Sequence, residues 1–279
     1  MSRGKLVINE NSNSRKLPSF KKPPLTEVVC SFRFKYLERL FAPFLGTYWE
    51  QIKGVYSAME EKPPIASIAT DGAEFGLQDD LELVLNPRIW FINPENNALI
   101  QVQRNRFIHN WRKKDEQAQY PRYRNVSAEF FARFEEFERF LKNFDIGSLD
   151  PLEYELTYVN HIPLGDCWDS LDDLSGVLKS FKAKSWKTEK LNELRGFSWT
   201  SNYELPDANG LLISKVQSAV RNSDKKKFLQ FSIIARGIDK NRSVAQMKPW
   251  FDLAHEWIVD GFSDLTSDAI QDNVWVREK

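Results

Sequence analysis

The stretch SAEFFARFEEFERFLKNF, residues 127–144, constrains this chain more than any other. Phe130, Phe131, Phe134, Phe137, Phe140, Leu141 and Phe144 recur at helical spacing and form one wide apolar face. Ser127 reads as the cap that opens the helix, with Phe130 continuing its first turn. So broad a face must be buried against another layer, and the rest of the chain supplies strands for it.

Pro23 and Pro24 hold the chain extended, and the Val28/Cys30/Phe32/Phe34 series after them reads as a buried strand. Residues 37–61 follow with helical spacing, Pro43 and Gly46 marking an early turn or kink. IASIAT, LELVLNPRIWFI and ALIQVQRNRFI read as three strands, with NPENN as a hairpin turn. The second half repeats the order. PLEYELTYVNHIP is a strand, and DSLDDLSGVLKSF is a helix capped by Asp169 or Ser170. FSWTSNYEL, GLLISKVQSAV and KFLQFSIIARG are strands, and AQMKPWFDLAHEWIVDGF is a helix with Met247, Trp250, Phe251, Ala254, Trp257, Ile258 and Phe262 on one face. The expected fold is α+β: an antiparallel sheet backed by long helices, built from two tandem β-α-β-β-β-α units with pseudo-twofold symmetry. The units span 20–148 and 149–279, behind a flexible arm at 1–19. Residue identity between them is low, so the repeat is one of pattern.

With 42% apolar residues in 279 positions, the chain can bury a core without a metal or disulfide staple. Cys30 and Cys167 read as two separate thiols in a reducing cytoplasm. No eighteen-residue apolar run marks a membrane span, and no cofactor is expected. Charge is balanced at 39 basic and 39 acidic residues but segregated: +6 over 1–35, +5 over 101–125 and −5 over 251–279. Such a field suits an anionic partner or head-to-tail pairing with a second copy.

Familiar catalytic signatures are missing. The 12 glycines form neither a P-loop nor a dinucleotide fingerprint, and there is no nucleophile elbow or zinc-protease helix. A metal site would need His109, His161 and His255 to converge from separate elements. No catalytic residue is nominated.

Two polar stretches stand out instead. In QVQRNRFIHNWRKK, residues 101–114, a single strand would place Arg104 and Arg106 beside Ile100, Val102 and Ile108. Gln101, Gln103, Asn105, Phe107, His109 and Trp111 would share its other face. Neither face is cleanly apolar, so one must meet solvent or a partner. Tyr120, Arg122 and Tyr123 of YPRYRN extend this into an aromatic and cationic cluster, the composition of interfaces and of single-strand nucleic-acid surfaces. In ELTYVNHIP, Tyr158, Asn160 and His161 either close a turn or line the same groove. The nominated binding set is Arg104, Arg106, His109, Asn110, Trp111, Arg112, Tyr120, Arg122, Tyr123 and Asn160.

FKKPPLTEVVCSFRF, QVQRNRFIHNWRK, YPRY, ELTYVNHI and HEWIVDGFSDLTSD together resemble a sporadically distributed bacterial family of uncharacterised proteins. The resemblance runs from about residue 20 onward and brings no catalytic residues or cofactor with it. Its scattered occurrence implies horizontal transfer, as in mobile or defence-related gene clusters. The functional expectation is a cytoplasmic, non-enzymatic protein that binds a protein partner, as an antitoxin-like or defence-accessory factor. The alternatives are a nucleic-acid binder using 101–124 and an enzyme acting on a small anionic substrate.

Overall fold

The computed structural model describes residues 16–65, 87–181, 190, 194–238 and 243–278. It is an α+β structure organised on one nine-stranded antiparallel sheet. The strands are β1 (Ser19–Phe20), β2 (Leu25–Phe34), β3 (Ala58–Lys62), β4 (Arg88–Ile92), β5 (Ala98–Gln103), β6 (Arg106–Arg112), β7 (Pro151–Pro163), β8 (Ser198–Glu204), β9 (Leu211–Val220), β10 (Lys227–Gly237) and β11 (Arg277–Glu278). The helices are α1 (Ala42–Ile52), α2 (Tyr123–Asn143), α3 (Leu174–Val177), α4 (Met247–Leu265) and α5 (Asp268–Asn273). The large sheet runs β3-β4-β5-β6-β2-β7-β10-β9-β8, and β1 pairs with β11 in a separate two-stranded ribbon.

The first strands of the two halves, β2 and β7, pair at the centre of the sheet. From that seam the order is β6-β5-β4 on one side and β10-β9-β8 on the other, with β3 added beyond β4. The helices are less equivalent: α1 has eleven residues, and its counterpart is one 3-10 turn followed by the four-residue α3. The expected duplication is therefore not confirmed: the strands follow a like order in the two halves, but the first helices do not match.

Alternation explains the layers. On β2, Val28, Cys30, Phe32 and Phe34 point into the core; on β7, Tyr154, Leu156, Tyr158 and Ile162 do. The Phe stripe of α2 lies on this face: Phe134 meets Phe32 and Phe107 edge-on with centroids 5.2 and 5.8 Å away. Phe107 stacks on Phe137 at 5.1 Å. Phe130 of α2 meets Phe251 of α4 at 5.1 Å, joining the two long helices above the seam.

Several expectations change. The helical pattern over 37–61 yields only α1, with Pro43 in its first turn rather than at a kink, and 58–62 is a strand. Proline fits a helix's first turn because the N–H it lacks would be unpaired there. α2 starts at Tyr123, four residues before Ser127, which is buried inside it. Ser170 does cap the turn at 171–173, through a reciprocal box with Asp173, but the helix expected over 169–181 stops at Val177. The expected strand IASIAT lies almost wholly outside the described residues.

The largest correction concerns 98–112. It is a hairpin, with Gln103 opposite Arg106 across a two-residue turn at Arg104-Asn105. Residues opposite each other in an antiparallel pair share a face, so the turn reverses the parity assumed for one continuous strand. Ile100, Val102, Phe107, His109 and Trp111 therefore face the helices. Gln101, Gln103, Arg106, Ile108, Asn110 and Arg112 share the opposite face.

Candidate functional site

A cavity of about 350 Å³ opens on the helix side of the sheet, near the β1-β11 ribbon. That is within the range of small-ligand pockets. One wall comes from Leu17, Pro18 and Phe20 and another from Ile258, Val259 and Phe262 of α4. The polar groups come from YPRY, from Tyr158 and Asn160 of β7, and from His255 of α4.

The entry to α2 positions the motif. Arg122 sits at φ 73°, ψ 151° ahead of the helix, a backbone region normally left to glycine. Tyr120 and Tyr123, on either side of Pro121-Arg122, both line the cavity. Tyr120 packs on Trp111 with centroids 5.2 Å apart, and its hydroxyl lies 3.0 Å from that of Tyr158. The Tyr158 hydroxyl is in turn 2.9 Å from Nδ1 of His255. Tyr123 stacks on the His255 ring at 4.1 Å and donates from its hydroxyl to Asp252 at 3.0 Å. Asn160, 3% exposed, donates its amide to the carbonyl of Phe231 at 3.1 Å. At the rim the Arg122 guanidinium donates to Ser19 at 2.9 Å and pairs with Glu278 at 3.3 Å. Ser19 and Glu278 are themselves hydrogen-bonded. The basic stretch at 101–125 and the acidic stretch at 251–279 thus meet inside one chain.

The floor of this pocket is polar but uncharged. Burial lowers the His255 imidazole to about 4, against a weaker opposing pull from Asp252. Burial likewise raises Tyr120, Tyr123 and Tyr158. These groups are neutral hydrogen-bonding side chains, and Arg122 and Arg124 are the cationic residues of the lining.

The nominated residues divide. Tyr120, Arg122, Tyr123 and Asn160 converge on the pocket, and Trp111 backs Tyr120. Asn160 arrives there differently from the expected route, since β2 separates β7 from β6. Arg104 lies at the hairpin turn, where it donates to the Tyr36 hydroxyl at 2.8 Å and covers the Phe41 ring at 5.0 Å. His109 is 1% exposed in the core, where neither ring nitrogen has a hydrogen-bond partner among the described residues, and burial lowers it to about 3.

Arg106, Asn110 and Arg112 lie on the opposite sheet face. There Arg88 donates to Gln101, Gln101 to Asn110 and Asn110 to Glu27, each at 2.7 Å. Burial raises the Glu27 carboxyl against the lowering effects of Asn110 and Arg112. Beside this row, Lys62, Arg88 and Arg112 surround the Trp90 indole at 4.8, 5.5 and 5.7 Å. Arg33 and Arg236 pair with Glu153 and Glu155 at 3.5 and 2.6 Å.

The nominated binding set omits His255, Asp252 and the wall at Leu17–Phe20. The available signal for His255 was its place on α4, one step off the apolar stripe. The three histidines do not converge: His109 is in the core, His161 packs on Phe228 at 4.3 Å, and His255 lines the pocket. Among the described residues no cluster of three or more His, Cys, Asp or Glu could hold a metal ion. None of the described helices is long and apolar enough to cross a membrane. No family model matches the chain, and no curated protein matches it at a significant level.

Proposed function

We propose that this chain is a non-enzymatic binding protein and that its pocket receives an apolar side chain of a protein partner. One observation carries this reading. Residues as distant in sequence as Leu17 and Phe262 line one cavity with apolar walls, a neutral Tyr120–Tyr158–His255 floor and the arginines Arg122 and Arg124. A pocket of that kind suits an anchor residue, with the rim favouring acid neighbours on the partner segment. The resemblance described above supports an antitoxin-like or defence-accessory role for the complex. The test fills the pocket. Val259→Trp should weaken binding of the purified partner by about tenfold or more, and Arg124→Glu should reduce its association rate. A partner that binds both variants as tightly as the parent would refute the reading.

A second reading, single-stranded nucleic acid on the opposite face, is favoured by the three cations around Trp90. Titration with labelled oligonucleotides at low and high salt tests it. Stacking on Trp90 requires Trp90→Ala to cost about 1–3 kcal/mol, and phosphate contacts require a steep loss with salt.

A further inference from the structure

We infer that β8 is a dimerisation strand and that two copies of the chain join their sheets edge to edge through residues 198–204. The two borders of the large sheet differ. β3, with sequence AMEEK, carries three charged side chains in five positions, which discourages edge pairing. β8, SWTSNYE, carries only Glu204 and has neither proline nor an irregularity in its pairing to β9. Among the described residues nothing pairs with its outer edge. Trp199 and Tyr203 on this strand are 50% and 42% exposed.

The partner follows from the strand's own register. Ser218 N–H bonds to the Phe197 carbonyl and Leu205 N–H to the Gly210 carbonyl, so the odd-numbered positions of this segment face β9. By alternation, Ser198, Thr200, Asn202 and Glu204 direct their backbone groups outward. A second β8 laid antiparallel with Ser201 on the twofold axis brings Thr200 opposite Asn202 and Ser198 opposite Glu204. Those are pairs whose backbone groups all point across the junction. The same register sets Trp199 against Tyr203, an aromatic cross-strand pair, and opposes no like charges. Every residue of the strand is used, and the contact is the self-complementary kind that closes as a dimer. Ser201 then forms a non-hydrogen-bonded pair with its own copy, with Cα atoms about 4.5 Å apart, within disulfide range.

Two measurements decide this. In a Cys167→Ser background, Ser201→Cys should form a disulfide-linked dimer on mild oxidation. Asn202→Cys, on the other sheet face and opposite Thr200, should not. In sedimentation, the parent chain should show a concentration-dependent dimer. Thr200→Pro, which removes one outward N–H per copy, should weaken that dimer by about tenfold or more with an unchanged circular dichroism spectrum. A parent chain that stays monomeric, or cross-linking of Ser201→Cys no faster than of Asn202→Cys, would overturn the inference. A dimer that survives Thr200→Pro unweakened would do the same.

Discussion

Tyr123 lies flat on His255, with ring centroids 4.1 Å apart and planes 10° from parallel. The stack removes water from one face of the imidazole while Tyr158 engages its edge. What holds the pocket together therefore also keeps the histidine neutral.

Stability should accordingly depend on pH through the histidines. An unfolded histidine titrates near 6.5, whereas burial lowers His255 and His161 to about 4 and His109 to about 3. The unfolded chain thus takes up protons below 6.5 that the folded chain refuses. The stabilising effect is complete above that pH and is lost as pH falls toward 4, at up to about 1.4 kcal/mol per pH unit for each histidine. Urea denaturation at about pH 7 and about pH 5 should show the drop, and His255→Gln should make it shallower. Equal stability at both would contradict the burial of these rings.

Arg122→Gly should raise the melting temperature. Its backbone occupies a region that costs a non-glycine residue about 1–3 kcal/mol. Its exposed contacts with Glu278 and Ser19 return less, because solvent screens them. A lower melting temperature in a calorimetric scan would show that the rim contacts outweigh the strain.

His109→Leu should also stabilise. The histidine sits between Cys30 and Ile100 on neighbouring strands, buried, with two ring nitrogens that find no hydrogen-bond partner among the described residues. An unpaired buried polar group costs about 1–3 kcal/mol, and leucine has none. A gain of about 1 kcal/mol by chemical denaturation is expected. Destabilisation would mean that the imidazole has a partner in solution.

Phe134→Ala should cost about 3–5 kcal/mol, because a large buried ring leaves a cavity. Phe134 is 2% exposed and touches both Phe32 and Phe107. A thermal shift below about one degree would place the Phe stripe outside the core.

The layers were legible because side-chain period reports burial directly. Val28 to Phe34 alternate, Phe130 to Phe140 recur at helical spacing, and both patterns end on the same core. The α1 boundary was obscured because Val55 and Met59 extend its spacing by chance; both are about half exposed. The hairpin at Arg104-Asn105 has no glycine or proline to mark it, so the run read as one strand and every face after it was inverted. The site was half legible for a related reason. Tyr120, Arg122, Tyr123 and Asn160 looked polar beyond need, but their convergence with His255 depends on strand order. That order sets β7 beside β10 and brings α4 over Tyr158.

The β1-β11 ribbon has a consequence for biosynthesis. It joins Ser19 and Phe20 to Glu278 and Arg277, while Phe20 packs edge-on against Phe262 and Trp275 at 5.6 and 6.3 Å. A ribosome that has made the first half has already released every residue of the first unit's strands, and these can pair locally. The wall at Leu17–Phe20 has nothing to dock against until α4 and β11 emerge. A nascent chain can therefore pair β2, β6, β5 and β4 early, whereas the β2–β7 seam waits for the second half and the cavity is complete only once β11 has emerged.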